Sequence, residues 1–248
     1  VKPDNQVVSS PTPIVSSDAD RLVGMFGSIA PTYDFLNHLL SFGQDYFWRR
    51  KVVACLDAHK NITLADLATG TGDILVSLLR RRTNIARALG LDISGEMLTV
   101  CKKKLSRLGL DNRAELIRGD AAHTPFDDNS FDVVTMAFGI RNMPDVPAAL
   151  TEIRRILRPA GKAVILEFAL PPNRIVRSMY LPYLKILLPV IGAAVSGHYQ
   201  PYRYLSRTIE SFYSPFELTR CMIDAGFENV ALQPLSLGVA YIYSAAKP

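Results

Sequence analysis

The stretch DLATGTGD, Asp66 to Asp73, decides the fold. It closes the apolar run ITLADLA and opens directly into ILVSLL, so a buried strand ends in a glycine turn that starts a helix. Glycine lacks the Cβ that would hold a ligand off, and the first N–H groups of the helix face whatever sits at the turn. Alone, such a pair of glycines also serves as a tight turn with no ligand. The flanking sequence separates the two readings.

Downstream, the apolar runs ARALGLDI, AELIRG, FDVVTMAF and KAVILEF alternate with helical patterns that begin near Ile74, Gly95 and Val146, the last stopped by Pro159 and Gly161. That spacing predicts five βα units and a mostly parallel sheet with helices on both faces. A helix from about Pro215 to Ala225, ended by Gly226, leads into NVALQPL and GVAYIYSA, which read as a hairpin. The expected fold is α/β and Rossmann-like, with seven strands and an antiparallel final one.

The 248 residues suffice for one large domain. Residues 1–17 read as a disordered polar tail with neither the apolar run of a signal peptide nor the pattern of a transit peptide. Residues 18–248 form the domain, with a helical cap at 18–58 and a substrate-side insertion at 170–213. That insertion carries Arg174, Arg177, Lys185, Arg203 and Arg207 against the single acid Glu210. Cys55, Cys101 and Cys221 are far apart and lack metal-ligand companions, which predicts a reducing, cytoplasmic setting and no metal. The net charge of +5 is scattered and carries no aromatic RNA-binding signature, so nucleic acid is not an expected partner.

For the ligand at the glycine turn the candidates are a dinucleotide and S-adenosylmethionine. A dinucleotide fingerprint starting at Gly70 requires glycine or alanine where Leu75 stands. Asp92 closes the second strand, where a carboxylate takes both ribose hydroxyls, and Asp120 closes the third, where it accepts from an adenine amino group. Taken singly, Asp92 also reads as a helix-start acid and Asp120 as a turn residue.

The series FGSIAPTYDFLNHLLSFGQDYFWRR, DLATGTGD, GLDISGEML, GDAAHTPFDDNSFDVVTMAFGIRNMPD, EIRRILRPAGKAVILEF and YRYLSRTIESF resembles the C-methyltransferases of menaquinone and ubiquinone biosynthesis over roughly residues 21–248. The resemblance implies a class I S-adenosylmethionine-dependent methyltransferase that methylates a ring carbon of a demethylated, polyprenylated quinol. By motif, Thr71, Asp92, Asp120 and Ala121 would contact the cofactor, with Gly70 and Gly72 making room. The chain departs from the general pattern at Ala68, where glycine is preferred and alanine should be sterically mild. It also departs at Ala137, where a serine hydroxyl is lost.

Methylating a ring carbon requires an adjacent phenol to lose its proton, and that hydroxyl should titrate like tyrosine, near ~10. Arg141 is expected to stabilise the phenolate and Asn142 to orient the ring; the alternative for Arg141 is a salt bridge to Asp145 or Asp132. Tyr33 and Asp34 are expected to cover the cofactor or else to cap and pack a helix. His38 and His198 could relay a proton or be ordinary surface or core histidines. Tyr199, Tyr202, Arg203 and Tyr204 grip the ring or pack the insertion.

The run MYLPYLKILLPVIGAAV, Met179 to Val195, is too broken by Pro182, Lys185 and Pro189 to span a bilayer and reads as a broken amphipathic helix. It would cover the sheet, or form a tunnel for the polyprenyl tail with its rim on an anionic membrane, peripherally on the inner face. A homodimer is left open. Rival functions are methylation of another lipid or small phenol, and a non-catalytic subunit that keeps the fold.

Overall fold

The computed structural model describes residues 16–56, 61–82 and 84–248. Most of the expected tail lies outside the described residues, but Ser16 and Ser17 already belong to the first helix, α1 (Ser16–Leu40). A second, α2 (Gln44–Ala54), completes the cap, and β1 (Ile62–Leu67), α3 (Asp73–Arg81), β2 (Ile85–Asp92), α4 (Gly95–Arg107) and β3 (Ala114–Arg118) follow. Next come β4 (Phe131–Ala137), α5 (Val146–Ile156) and β5 (Leu157–Phe168). The insertion supplies α6 (Arg174–Pro182), α7 (Leu188–Ser196) and α8 (Gln200–Ser211), and the chain ends with α9 (Pro215–Asp224), β6 (Glu228–Leu235) and β7 (Ala240–Ala246).

The seven strands lie in the order β3-β2-β1-β4-β5-β7-β6, with β7 antiparallel to both neighbours and the remaining pairs parallel. Strand order reverses between β1 and β4, and this is where open α/β sheets leave a crevice for ligands. One face packs Val134, Ile153, Leu218 and Tyr243, under α5 and α9. The other packs Trp48, Leu78, Cys101 and Ile242, under α2, α3 and α4. Local signals start the helices as expected: Ser94 caps α4, Asp145 caps α5, and Ser214 with Glu217 forms a capping box on α9.

Three expectations need correction. The crossover from β3 to β4 is not a βα unit, because residues 119–130 cross as loop, broken by Pro125 and the turn-forming Asp127, Asp128 and Asn129. Helix α5 stops at Ile156, three residues ahead of Pro159, because the chain is already extended at Leu157, where it pairs with Phe131 of β4. The third correction concerns the insertion.

From Arg174 to Ser196 the insertion is one continuous helical run rather than a broken one. A π-turn at Tyr183–Leu187, closed by the Leu188 N–H on the Tyr183 carbonyl, widens the helix just before Pro189, which has no N–H to return to the preceding turn. By length and composition the run could cross a membrane, but Leu184, Leu188 and Gly192 pack it against α1 and α8. A Cβ on Gly192 would stand 2.3 Å from the Tyr202 ring. Leu36, Ile209 and Tyr202 complete this third small core, which fastens α1 and the insertion together over the strand ends.

Candidate active site

A cavity of about 170 Å³ opens at the ends of β1, β2, β3 and β4. Gly70, Asp92, Asp120, Ala121 and Ala137 line it from the sheet, and Leu22, Phe26 and Tyr33 of α1 roof it. Gly70 has φ +57°, and a Cβ there would meet nothing within 4 Å, so this glycine bares its backbone to open space. Its N–H donates to Asp92 Oδ2 at 2.7 Å, and the Ser94 N–H donates to Asp92 Oδ1 at 2.9 Å. A carboxylate has about four lone-pair sites, so Asp92 keeps acceptors for a pair of ribose hydroxyls. Burial raises its pKa, and the two N–H groups oppose that. Asp120 is half exposed and takes the Ala122 N–H at 2.9 Å. The donor and acceptor set fits an adenosyl cofactor.

Gly72 does not make room for a ligand. Its φ is +80° and a Cβ would lie 2.3 Å from Cys101 Sγ, so it permits α4 to pack against the turn. Thr71 is buried and spends its hydroxyl on Asp34 Oδ1 at 2.5 Å, tying the turn to α1. It faces a small cleft of about 50 Å³ beside the main cavity, which Gly70, Tyr33 and Phe138 also line. Ala68 is not sterically mild: it sits at φ +50°, which costs a non-glycine residue about 1–2 kcal/mol.

A second cavity, of about 520 Å³, lies between α1, α2 and the insertion. Phe26, Tyr33 and Phe138 line both cavities and form their common wall. Phe138 adopts φ +56° directly after β4, so each of the two loops flanking the sheet's switch point turns through a left-handed non-glycine residue. The larger cavity opens beside Phe42, Met179 and Leu237, which are 80%, 73% and 76% exposed.

Arg141 and Asn142 part company. Arg141 lines the larger cavity, whereas Asn142 lines the smaller one and accepts at 3.2 Å from the hydroxyl of Tyr204, which lines the larger. Arg141 pairs with neither Asp145 nor Asp132. Its Nη1 donates to Glu167 Oε1 at 2.7 Å and to the Phe138 carbonyl at 2.6 Å, its Nε has no partner, and the guanidinium lies over the Phe168 ring. Glu167 is fully buried; burial raises its pKa and Arg141 opposes it. The sequence reading missed Glu167, although a carboxylate ending the apolar run KAVILEF was a visible signal.

Burial also raises the Tyr33 pKa, which keeps the phenol protonated and makes it a donor rather than a base. His38 neither stands alone nor lines either cavity: its Nδ1 is 2.5 Å from Asp45 Oδ2, and its ring stacks on Tyr46. His198 is exposed. Asp45 begins a second feature the sequence did not reveal, a chain of charges through Arg49, Asp73 and Lys104 to Asp34, with successive separations of 2.8, 2.7, 2.5 and 2.6 Å. It links α1 and α2 to α3 and α4.

The profile of the ubiE/COQ5 methyltransferase family matches residues 14–247. The demethylmenaquinone methyltransferase of Thermus thermophilus is 41% identical over 90% of this chain and 100% of its own length. That of Thermotoga maritima is 42% identical over 88% and 93%. The ubiquinone/menaquinone biosynthesis C-methyltransferase UbiE of Geobacter sulfurreducens is 37% identical over 94% and 91%. Among solved structures, the [4+2]-cyclase SpnF superposes with a TM-score of 0.71 at 15% identity, over 96% of this chain and 98% of that one. An S-adenosylmethionine-dependent methyltransferase from Aquifex aeolicus gives 0.59 at 20% identity, over 81% and 89%. These structural likenesses extend to the fold alone.

Proposed function

The chain belongs to the ubiE/COQ5 methyltransferase family, and we propose that it transfers the methyl group of S-adenosylmethionine to a ring carbon of a demethylated isoprenoid quinol in respiratory quinone biosynthesis. The observation that carries this reading is the pair of cavities meeting at Phe26, Tyr33 and Phe138, the smaller built for an adenosyl group and the larger lined mainly by apolar and aromatic side chains, with Arg141 among its few charged ones. When bound, the cofactor supplies an electrophilic methyl group on a sulfonium.

The residues around the common wall hold the ring and its charge. Arg141 brings a fixed guanidinium to the wall of the larger cavity, where a developing phenolate gains most from a preorganised positive charge. Glu167 holds that guanidinium against the end of β5, so it costs no reorganisation when charge appears. A guanidinium does not give up its proton near neutral pH, so Arg141 acts as a charge stabiliser and not as the base. Asn142 and Tyr204 set the roof between the two cavities through their mutual hydrogen bond. Gly70, Asp92, Asp120 and Ala121 hold the cofactor, Thr71 only through the turn it fastens.

Phe42, Met179 and Leu237 support a peripheral seat on the bilayer, since exposed apolar side chains ring the mouth through which a polyprenyl tail would trail. Arg174 and Arg177 stand at the start of α6 beside Met179, placed to meet anionic lipid. We place the enzyme on the cytoplasmic side of that membrane.

The test is methyl transfer from labelled S-adenosylmethionine to short-chain demethylmenaquinol and to the matching demethylated benzoquinol, each offered reduced and oxidised. Transfer to the reduced rings only is the expected result, and the preferred ring names the substrate. Intact cofactor binding with no transfer to either ring overturns the proposal.

A further inference from the structure

A third cavity, a groove of about 680 Å³, runs between α1 and α8. Arg21 lines it from α1, and Arg203 and Arg207, one helical turn apart, line it from α8. Among the described residues no acid lines it, and none of the three guanidiniums has a hydrogen-bond or ion-pair partner among them. Three other arginines of the chain are committed instead: Arg155 to Glu152 and Asp128, Arg158 to Asp132, and Arg113 to backbone carbonyls. Like charges at an i,i+4 spacing repel, and a third across the groove raises the positive potential inside it. The lining also includes Leu22 and Met25, so apolar surface adjoins the charge.

We propose that this groove is a phosphate site that takes the headgroup of an anionic phospholipid, and that filling it fastens α1 to α8. Guanidinium forks match phosphate oxygens in pairs, and the apolar strip suits the lipid that carries the phosphate. Fastening these helices bears on both other cavities, because Leu22 also lines the cofactor cavity and Tyr204 also lines the larger one. Anionic lipid therefore tightens cofactor binding as well as retaining the enzyme at the surface. The inference rests on the bilayer reading above only for the source of the phosphate.

The test uses the full chain and sedimented vesicles of phosphatidylcholine, with or without phosphatidylglycerol, and no quinol. A basic residue near an anionic surface contributes about 1 kcal/mol, so R203Q/R207Q should lose about 30-fold in affinity for the phosphatidylglycerol vesicles. R80Q/R81Q, which removes an exposed basic pair from the end of α3, should change it less than about twofold. Cofactor affinity of the wild type should rise on those vesicles and that of R21Q should not. Equal vesicle binding by R203Q/R207Q and wild type overturns the site. An equal rise in cofactor affinity with inorganic phosphate alone overturns the lipid source. Since no methyl transfer is read, failure here is distinct from failure of the quinol assignment.

Discussion

Gly70 and Gly72 share a turn and a left-handed backbone, yet they answer to different neighbours. Gly70→Ala places its methyl in the cofactor cavity, so the expected result is weakened S-adenosylmethionine binding, by calorimetry, with a stability loss of only about 1 kcal/mol from the backbone. Gly72→Ala drives its methyl into Cys101, and an unfolding midpoint should show a loss above about 2 kcal/mol, part of which Cys101→Ala restores. Asp66 offers a separate test. Burial lifts its carboxyl to about 6, although Thr69 and Thr135 both donate to it. The folded state therefore holds this proton more tightly than the unfolded chain does. Its stabilising contribution is full below the unfolded value near ~4 and is lost as pH rises through about 6. Urea midpoints of the wild type measured against Asp66→Asn should accordingly improve as pH falls from about 7 to about 5, by about 1.4 kcal/mol per unit at most. These residues were legible because their signals are local: two glycines and an acid within eight positions. Glu167 and Arg141, 26 positions apart, meet only because β4 and β5 pair, and nothing in either stretch announces the other.

The first helix is held over the cofactor cavity by few polar ties. Asp34 accepts from the Thr71 hydroxyl and pairs with Lys104, so it fastens α1 to both the glycine turn and α4. Asp34→Ala should cost about 1 kcal/mol in stability, because Lys104 keeps Asp73, while stopped-flow dissociation of S-adenosylmethionine becomes several-fold faster. An unchanged dissociation rate would remove α1 from the role of cofactor lid. Periodicity gave the strands and helices α3, α4, α5 and α9 within a few residues. It failed where a rule was applied without its exception. Parallel strands usually cross through a helix, but the GDAAHTPFDDNS segment reaches from β3 to β4 as loop. Proline usually breaks a helix, but the π-turn before Pro189 absorbs the missing N–H.

For the molecule as a whole, the charge chain from Asp45 to Asp34 and the small core around Leu184 hold a separately built roof on a sheet that would be complete without it. Sheet order and the cofactor edge were readable from sequence because strand ends fall in register with one another. The roof was not, since its partners are set by packing of α1 and α2 against the insertion. Saturation with S-adenosylmethionine at about a hundredfold over its dissociation constant should stabilise the fold by about 2.7 kcal/mol and raise the melting temperature by roughly 5 to 10 °C in calorimetry. No shift would mean that the smaller cavity does not hold the cofactor. The two cavities touch at a shared wall but open apart, one beside Asp120 and Ile93, the other beside Phe42, Met179 and Leu237. On the proposed reading, spent cofactor leaves toward water through one door while lipid enters and leaves through the other. An enzyme so arranged has no need to let go of its bilayer between turnovers. It can scoot along one vesicle, working through that vesicle's pool of quinol before visiting another.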